Sequence, residues 1–421
     1  MPYSVTFSAA CILVSIPPVP KAFVSPILID FRSSAMLSTF SINLAFLFVF
    51  GTDHAKSGFG AYILYFISNL PQRENYDNQI NNSLSDISIE LFGTEVDKYT
   101  YTSGREIFYQ SVEVKDNLKS QREWHKHKIY KFIKKNNYDA VIYPAVTRVL
   151  PGKFKNHKGI AIANTVVSVD LENEKASVKK SILKGLKNIQ IIIAASQFIK
   201  DDLEKLGIDG SKIHIIHSGI DHKLFFPALD LSDLVELSPF AIKRPYFVYA
   251  STLSSPLKKH KELIKAFEIF KEETQEAHRL VLAGNDGEYA EEIHKAAFES
   301  KFATDIFLTG YFPAESISKL YGAAEACIFP SVNEGVGLPS LEAMACGIPV
   351  ISSAKGALKE IGGTSVIYCD TEKPEEIASQ MKEITQNKEL REKVVFDGIL
   401  WAGEFNWEKT VLNILKLVVN I

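Results

Sequence analysis

The stretch FPSVNEGVGLPSLEAMACGIPV, residues 329–350, decides the fold class: it reads as strand, glycine loop, short helix and second strand. Pro339 suits the first helical position, where a missing N–H is no loss, and Gly347 suits a left-handed exit from the helix before Pro349. The helix N-terminus therefore faces the loop. Gly335 and Gly337 carry no Cβ, so the loop backbone can approach a ligand closely, while the helix start offers unpaired N–H groups and the positive end of its dipole. A diphosphate fits such a place. Glu342 lies near the end of the first turn, where its carboxylate can point back over the loop and accept hydrogen bonds from a cis-diol such as ribose. Glu334 precedes the loop and would face a sugar. An isolated EG-x-G fragment would be read as a plain turn with solvated carboxylates, so the surrounding sequence has to decide.

Outward from this stretch, short apolar runs alternate with longer amphipathic segments. One series occupies residues 140–143, 159–163, 191–195 and 212–217, and a second occupies 246–250, 279–283, 305–308, 326–329, 349–352 and 365–368. Such alternation predicts βα units and two parallel sheets. Between the series, residues 225–245 carry Pro227, Pro239 and Pro245 without sustained periodicity, which marks an interdomain linker with its boundary near Val235. A polar tract lies at 75–85. The 421 residues exceed one ordinary core, since domains usually hold about 100–200 residues, and two domains of similar size follow.

Composition narrows the class. With 46% hydrophobic and 23% charged residues the chain is an ordinary globular protein, and a net charge of −3 gives no general attraction to nucleic acid. Cys11, Cys327, Cys346 and Cys369 are scattered, without zinc or disulfide spacing, which fits a reducing cytosol; Cys327 and Cys346 sit among apolar residues and read as core. Residues 9–14 and 44–50 are apolar but far short of the ~20 needed to span a bilayer, and no positive segment precedes Lys21 as a signal peptide requires. Buried parallel strands account better for 27–31 and 44–50, although residues before Gly51 carry no firm assignment. Absent motifs also count: no two aspartates stand two residues apart, and neither GxxxxGK[ST] nor GxSxG occurs, which argues against a metal-dependent Asp-x-Asp transferase, P-loop phosphoryl transfer and a serine-hydrolase elbow.

Residues 329–350 closely resemble the E-x7-E signature of family 4 of the retaining glycosyltransferases (glycosyl transferases group 1). The likeness runs from about Ile191 to the end through further blocks in the family's order: 195–203 (ASQFIKDDL), 217–221 (HSGID) and 308–312 (LTGYF). It implies the GT-B fold, an α/β architecture of two facing Rossmann-like domains with a deep cleft, and a nucleotide-sugar donor as substrate with no cofactor or metal. Position by position it implies that Glu342 binds ribose and Glu334 the donor sugar. The backbone of Gly335, Val336, Gly337 and Leu338 would contact sugar and phosphate, and Gly310 and Tyr311 would line the base pocket. Residues 252–264 resemble the family's phosphate-binding loop, where an Arg and a Lys neutralise the leaving diphosphate. Lys258 matches the Lys, Lys259 being its alternative in a register shifted by one, while Ser251 or Thr252 stands where the Arg is expected. A cation there has a chemical purpose, because cleavage of the donor leaves negative charge on the β-phosphate.

The first half departs further from the pattern. Gly58 and Gly60, in the segment 51–62 after an apolar run, are candidates for close backbone approach to diphosphate and acceptor, or for an ordinary turn. The His that the family places at a strand end near the reacting sugar has no counterpart in 159–165, where Asn164 can hydrogen-bond but not act as acid or base; His54, His125, His127 and His157 are possible stand-ins. Residues 115–135 are rich in Lys and Arg with Trp124, Ile129, Tyr130, Phe132 and Ile133 interleaved. A basic amphipathic helix here would suit an anionic membrane surface or a lipid-diphosphate acceptor, or would be a solvated helix with an ordinary core stripe. Residues 405–419 resemble the terminal helix that crosses back to the first domain.

The sequence thus predicts an acceptor domain over 1–235, a nucleotide-sugar domain over 236–400 and a crossing helix over 401–421. The implied reaction is metal-independent transfer of a hexosyl group, with retention, to a saccharide or lipid-linked acceptor. Cell-surface polysaccharide or lipopolysaccharide synthesis is the implied setting, in the cytoplasm or peripherally on the inner face of the membrane. Two rival readings stay open: a silent relative that binds nucleotide sugar or a partner transferase, suggested by the missing Arg and His, and an epimerase or phosphorylase of similar fold.

Overall fold

The computed structural model describes residues 44–48, 58–70, 88–104, 107–136, 138–154, 157–228, 242–312 and 314–419. The readings made for 9–14, 27–31, 51–57, 75–85, His54, Cys11 and the boundary near Val235 fall outside these residues.

Two parallel sheets organise the chain. The first contains β1 (Leu44–Phe48), β2 (Ser88–Gly93), β3 (Phe108–Ser111), β4 (Ala140–Tyr143), β5 (Lys158–Ala163), β6 (Ile191–Ala194) and β7 (Ile213–Ile215), in the order β3-β2-β1-β4-β5-β6-β7. The second contains β8 (Tyr246–Ala250), β9 (Arg279–Ala283), β10 (Ile306–Gly310), β11 (Ala326–Phe329), β12 (Val350–Ser352) and β13 (Ile367–Tyr368), in the order β10-β9-β8-β11-β12-β13. Central strands such as AVIY in β4 and ACIF in β11 are buried throughout, as strands covered by helices on both faces must be. Each sheet reverses its strand order once, between β1 and β4 and between β8 and β11. At such a switch point the loops leaving neighbouring strands diverge and open a crevice beyond their carboxyl ends, which is where ligands bind in open α/β sheets.

The first sheet also holds two strands that the apolar pattern does not announce. β2 carries Glu90, whose carboxylate accepts hydrogen bonds from Tyr138 Oη and from Gln110 Nε2 of β3 at 3.2 Å. β3 is the sheet edge, only partly buried, and so lacks a continuous apolar run.

The basic segment 115–135 forms two helices, Leu118–His127 and Ile129–Asn136. Trp124, Ile129 and Ile133 are buried in the core with Phe92 and Val141, and Phe132 packs against them, so the apolar stripe is structural and the lysines face outward together with Glu123 and His127. The helix Trp407–Val419 packs on the first sheet although it follows the second: Trp407 lies edge-on to Tyr62 at 4.9 Å and stacks on Tyr65 at 5.4 Å, and Val411, Ile414, Leu415 and Val418 share a core with Ile63, Phe66, Ile142 and Ile160. The outgoing and returning segments touch, with Ile220 N donating to Phe405 O and Thr410 Oγ1 to His217 O. Cys327 and Cys346 are buried free thiols, and burial pushes the Cys346 thiol up to about 12, which removes it as a nucleophile. Among the described residues no helix is long and apolar enough to cross a membrane.

Candidate functional site

The switch point of the second sheet places together the loop after β8, which carries Lys258, and the loop after β11, which carries Glu334. Val332 N donates to Leu257 O at 2.9 Å, joining the loops, and Lys258 Nζ donates to Glu334 Oε1. Both side chains are largely enclosed, with 24% and 14% of their surface exposed. Lys258, not Lys259, is the lysine that reaches Glu334. Lys259 turns away in the left-handed conformation, φ +60°, and pairs with Glu262 and Glu372. Thr252, in the place of the absent Arg, is exposed after β8.

The helix after the glycine loop, Leu338–Ala345, starts one residue earlier than Pro339 alone suggests. Its N-cap is Gly337, φ +73°, and no side chain caps it. A Cβ on Gly337 would lie 2.8 Å from Leu358 Cδ2, a side-chain end that would have to shift, and the left-handed backbone is what favours glycine here. Pro339 has no N–H and Ser340 N donates to Gly337 O at 3.1 Å, so a ligand here would meet the backbone of Gly335 to Leu338 rather than the rest of the first turn. Glu342 lies one turn into this helix and is half-buried. Burial pushes its carboxyl up to about 7, with no hydrogen bond or cation to oppose the effect. Its charge is also felt by Tyr321, whose hydroxyl is buried without a partner and whose ionisation burial pushes far up. A carboxylate in this state is ready to accept two hydroxyl donors, which would restore the solvation that it lacks.

Gly310, φ +68°, ends β10 and Tyr311, 67% exposed, follows it; β9 separates β10 from β8, so the two residues lie at the carboxyl end of the same sheet but apart from the Lys258–Glu334 pair. In the first sheet Gly58 and Gly60 begin the helix Gly58–Ser68 after β1, on that sheet's switch point, and Arg148 from the loop after β4 stands over the intervening Phe59 ring at 5.2 Å. Asn164 follows β5, and its Oδ1 is buried without a hydrogen-bond partner. Of the histidine stand-ins within the described residues, His125 is buried and its pKa is pushed well below the usual value by burial, His157 lies on Tyr143 Oη at 3.3 Å, and exposed His127 pairs with Glu123.

Residue-by-residue reading missed the contacts that bring the two sheets together at the glycine loop. Ser196 Oγ donates to Gly335 O at 2.6 Å, and Val336 packs on the core of the first sheet. Glu360 receives Gln197 N at 2.9 Å on both carboxylate oxygens and His217 Nε2 at 2.7 Å. Gly356, φ +60°, lets the following turn close over Glu334, whose carbonyl accepts from Ala357 N at 2.8 Å; a Cβ there would lie 2.7 Å from that carbonyl. The blocks 195–203 and 217–221 mark these places in sequence, but nothing in their residue types tells that the partners lie in the other half.

Comparison with known proteins agrees with the fold and the motif. The model of the glycosyl transferases group 1 matches residues 237–401, and that of glycosyltransferase family 4 matches 93–224. The chain belongs to this family. Among curated relatives, the O-antigen chain mannosyltransferase B of Escherichia coli is 26% identical over 245 residues, covering 57% of this chain and 64% of the relative. The D-inositol 3-phosphate glycosyltransferase of Thermomonospora curvata is 25% identical over 51% of this chain and 53% of its own length. The matched region thus spans less than two thirds of either relative. Among solved structures, HepE of Anabaena in complex with UDP and glucose superimposes with a TM-score of 0.69 over 90% of this chain and all of its own, at 16% identity. Sucrose-phosphate synthase of Thermosynechococcus elongatus gives 0.68 over 89% and 98%, at 18% identity. The fold is GT-B.

Proposed function

We propose that this chain transfers a hexosyl group from a nucleotide sugar to a saccharide or lipid-linked acceptor, with retention of configuration and without a metal ion. The carrying observation is the uncapped start of the helix Leu338–Ala345, flanked by half-buried Glu342 on one side and by the Lys258–Glu334 pair on the other. A diphosphate at that helix start would take backbone N–H groups of the segment Gly335 to Leu338, since Pro339 has none and Ser340 N is bonded to Gly337 O. The Lys258 ammonium would stabilise charge on the leaving phosphate, Glu342 would accept the ribose hydroxyls and Glu334 would hold the sugar. With Glu334 as its partner, Lys258 is already oriented before donor arrives.

Retention and metal independence rest on the family resemblance and on the lack of an Asp-x-Asp pair. The relatedness to an O-antigen mannosyltransferase favours cell-surface polysaccharide assembly and makes GDP-mannose the first donor to try. The acceptor would enter from the first sheet, past Gly58, Gly60 and Asn164. Peripheral contact with the inner face of the membrane is part of the proposal. Exposed Lys119, Lys126, Lys128, Lys131, Lys134 and Lys135 support it as an electrostatic contact, since the apolar residues between them are in the core.

A panel of UDP-, GDP- and ADP-sugars with chelator present, for wild type and Glu342→Ala, tests the reading. Binding and slow release of nucleotide, weakened in the variant, are expected, with product anomers assigned by NMR. An inverted product removes retention. A second reading, a silent relative that holds nucleotide sugar without turning it over, is favoured by Thr252 in place of an Arg and by Asn164 in place of a His; it requires binding with no release.

A further inference from the structure

We propose that Ser196 is a positioning residue for the donor loop, fixing the Gly335 carbonyl so that the loop's N–H groups face the nucleotide sugar when the two halves are closed. The proposal rests on the donor reading of this loop. Ser196 is fully buried at the start of the helix Gln197–Lys205, where its Oγ accepts from Ile199 N at 3.2 Å as a helix cap. Capping uses only a lone pair of the oxygen, and Asp or Asn would cap as well. The hydroxyl proton goes elsewhere, to Gly335 O at 2.6 Å across the interface between the halves.

That second bond sets the loop. In a planar trans peptide the carbonyl and the next N–H point in opposite directions, so holding Gly335 O toward Ser196 turns Val336 N–H away from it. Gly335 leaves this peptide free to turn from one side, while on the other side Val336 is held by its packing on the core of the first sheet. A second contact secures the same unit. Gln197, the next residue, donates its N–H to Glu360, and the turn that leads to Glu360 binds Glu334 O through Ala357 N. Two adjacent residues of the first half thus hold both parts of the Glu334–Gly335 segment, and the loop acquires its ligand-ready shape from the other half of the molecule.

The full chain is compared as wild type, Ser196→Thr, Ser196→Asp and Ser196→Ala. Apparent KM and kcat are measured for release of nucleotide from GDP-mannose and UDP-glucose, and hydrogen exchange is measured at amides 335–341 without ligand. Ser196→Asp keeps a capping oxygen and, when ionised, has no proton to donate, and urea unfolding of each variant separates the lost interface bond from the cost of burying a carboxylate. The expected result is an apparent donor KM raised about tenfold with kcat changed far less, and faster exchange at 335–338, in Ser196→Asp and Ser196→Ala, with both restored in Ser196→Thr. Wild-type KM and exchange in Ser196→Asp, with only Ser196→Ala impaired, would show a helix cap and nothing more, and overturn the proposal while leaving the donor reading intact. If wild type itself binds neither probe, the donor reading fails instead, and the exchange data alone uphold or overturn the control of the loop by Ser196.

Discussion

Two helix starts meet across the interface between the halves, and they are built in opposite ways. The helix Gln197–Lys205 begins with a serine cap, and its first N–H is taken by Glu360 from the opposite half. The helix Leu338–Ala345 begins with a left-handed glycine and no side-chain cap. A sealed start is a structural joint, whereas an open one beside a glycine loop leaves donors for something that is not protein. Strand-loop-helix units of the same general plan therefore differ in use: one anchors, and the other is where the proposed donor would bind.

The largest expected effect would break this comparison directly. If the open start and its flanking pair hold the donor, Glu334→Gln lowers nucleotide release by about 100-fold or more, since the variant cannot support the charge arrangement around Lys258; release at the wild-type rate would show that the open start serves another purpose. Next, Gly337→Val forces a branched residue into φ +73° against Leu358, and a loss of about 2–3 kcal/mol in urea unfolding is expected. A loss below half of that would mean that the loop can adopt another backbone.

Glu342 gives a pH-dependent version of the same test. A glutamate in the unfolded chain ionises near 4.5 and the folded one near 7, so between those values the folded chain keeps a proton that the unfolded chain has lost. Stability therefore falls as pH rises through that window and levels off above it. Glu342→Gln should remove the fall, gaining about 1–3 kcal/mol over wild type at pH 8 and almost nothing at pH 4, measured by denaturation at both pH values. A wild-type profile with no slope in that window would place the carboxylate in contact with water. The smallest effect concerns a third helix start, where Lys259 holds a left-handed N-cap with a lysine. Lys259→Gly relieves the backbone but loses the contacts with Glu262 and Glu372, so a net gain under about 1 kcal/mol is expected by thermal unfolding. A net loss would mean that the ion pairs outweigh the strain.

Much of this was legible in the sequence, for reasons that differ between the halves. β8, β9 and β11 were bounded correctly because buried parallel strands read as unbroken apolar runs, and the open helix start was readable because glycine and proline have few alternative uses at those spacings. β2 and β3 were not legible, since Glu90 and Gln110 satisfy each other across strands and break the pattern. The 115–135 segment was right in its amphipathicity, but burial of Trp124 and Ile133 assigns its apolar face to the core. The interface contacts of Ser196, Glu360 and His217 were invisible because each joins residues more than a hundred positions apart. A hydroxyl that caps its own helix leaves no trace in sequence of where its proton goes.

The return of the helix Trp407–Val419 to the first sheet has a consequence for how the molecule is made. During synthesis the first sheet leaves the ribosome before the whole second sheet, yet the side chains that cover Ile63, Phe66, Ile142 and Ile160 are translated after both. The nascent first half must wait with that face uncovered, and a fragment cut between the sheets keeps it uncovered permanently, a surface on which chaperones and aggregation compete.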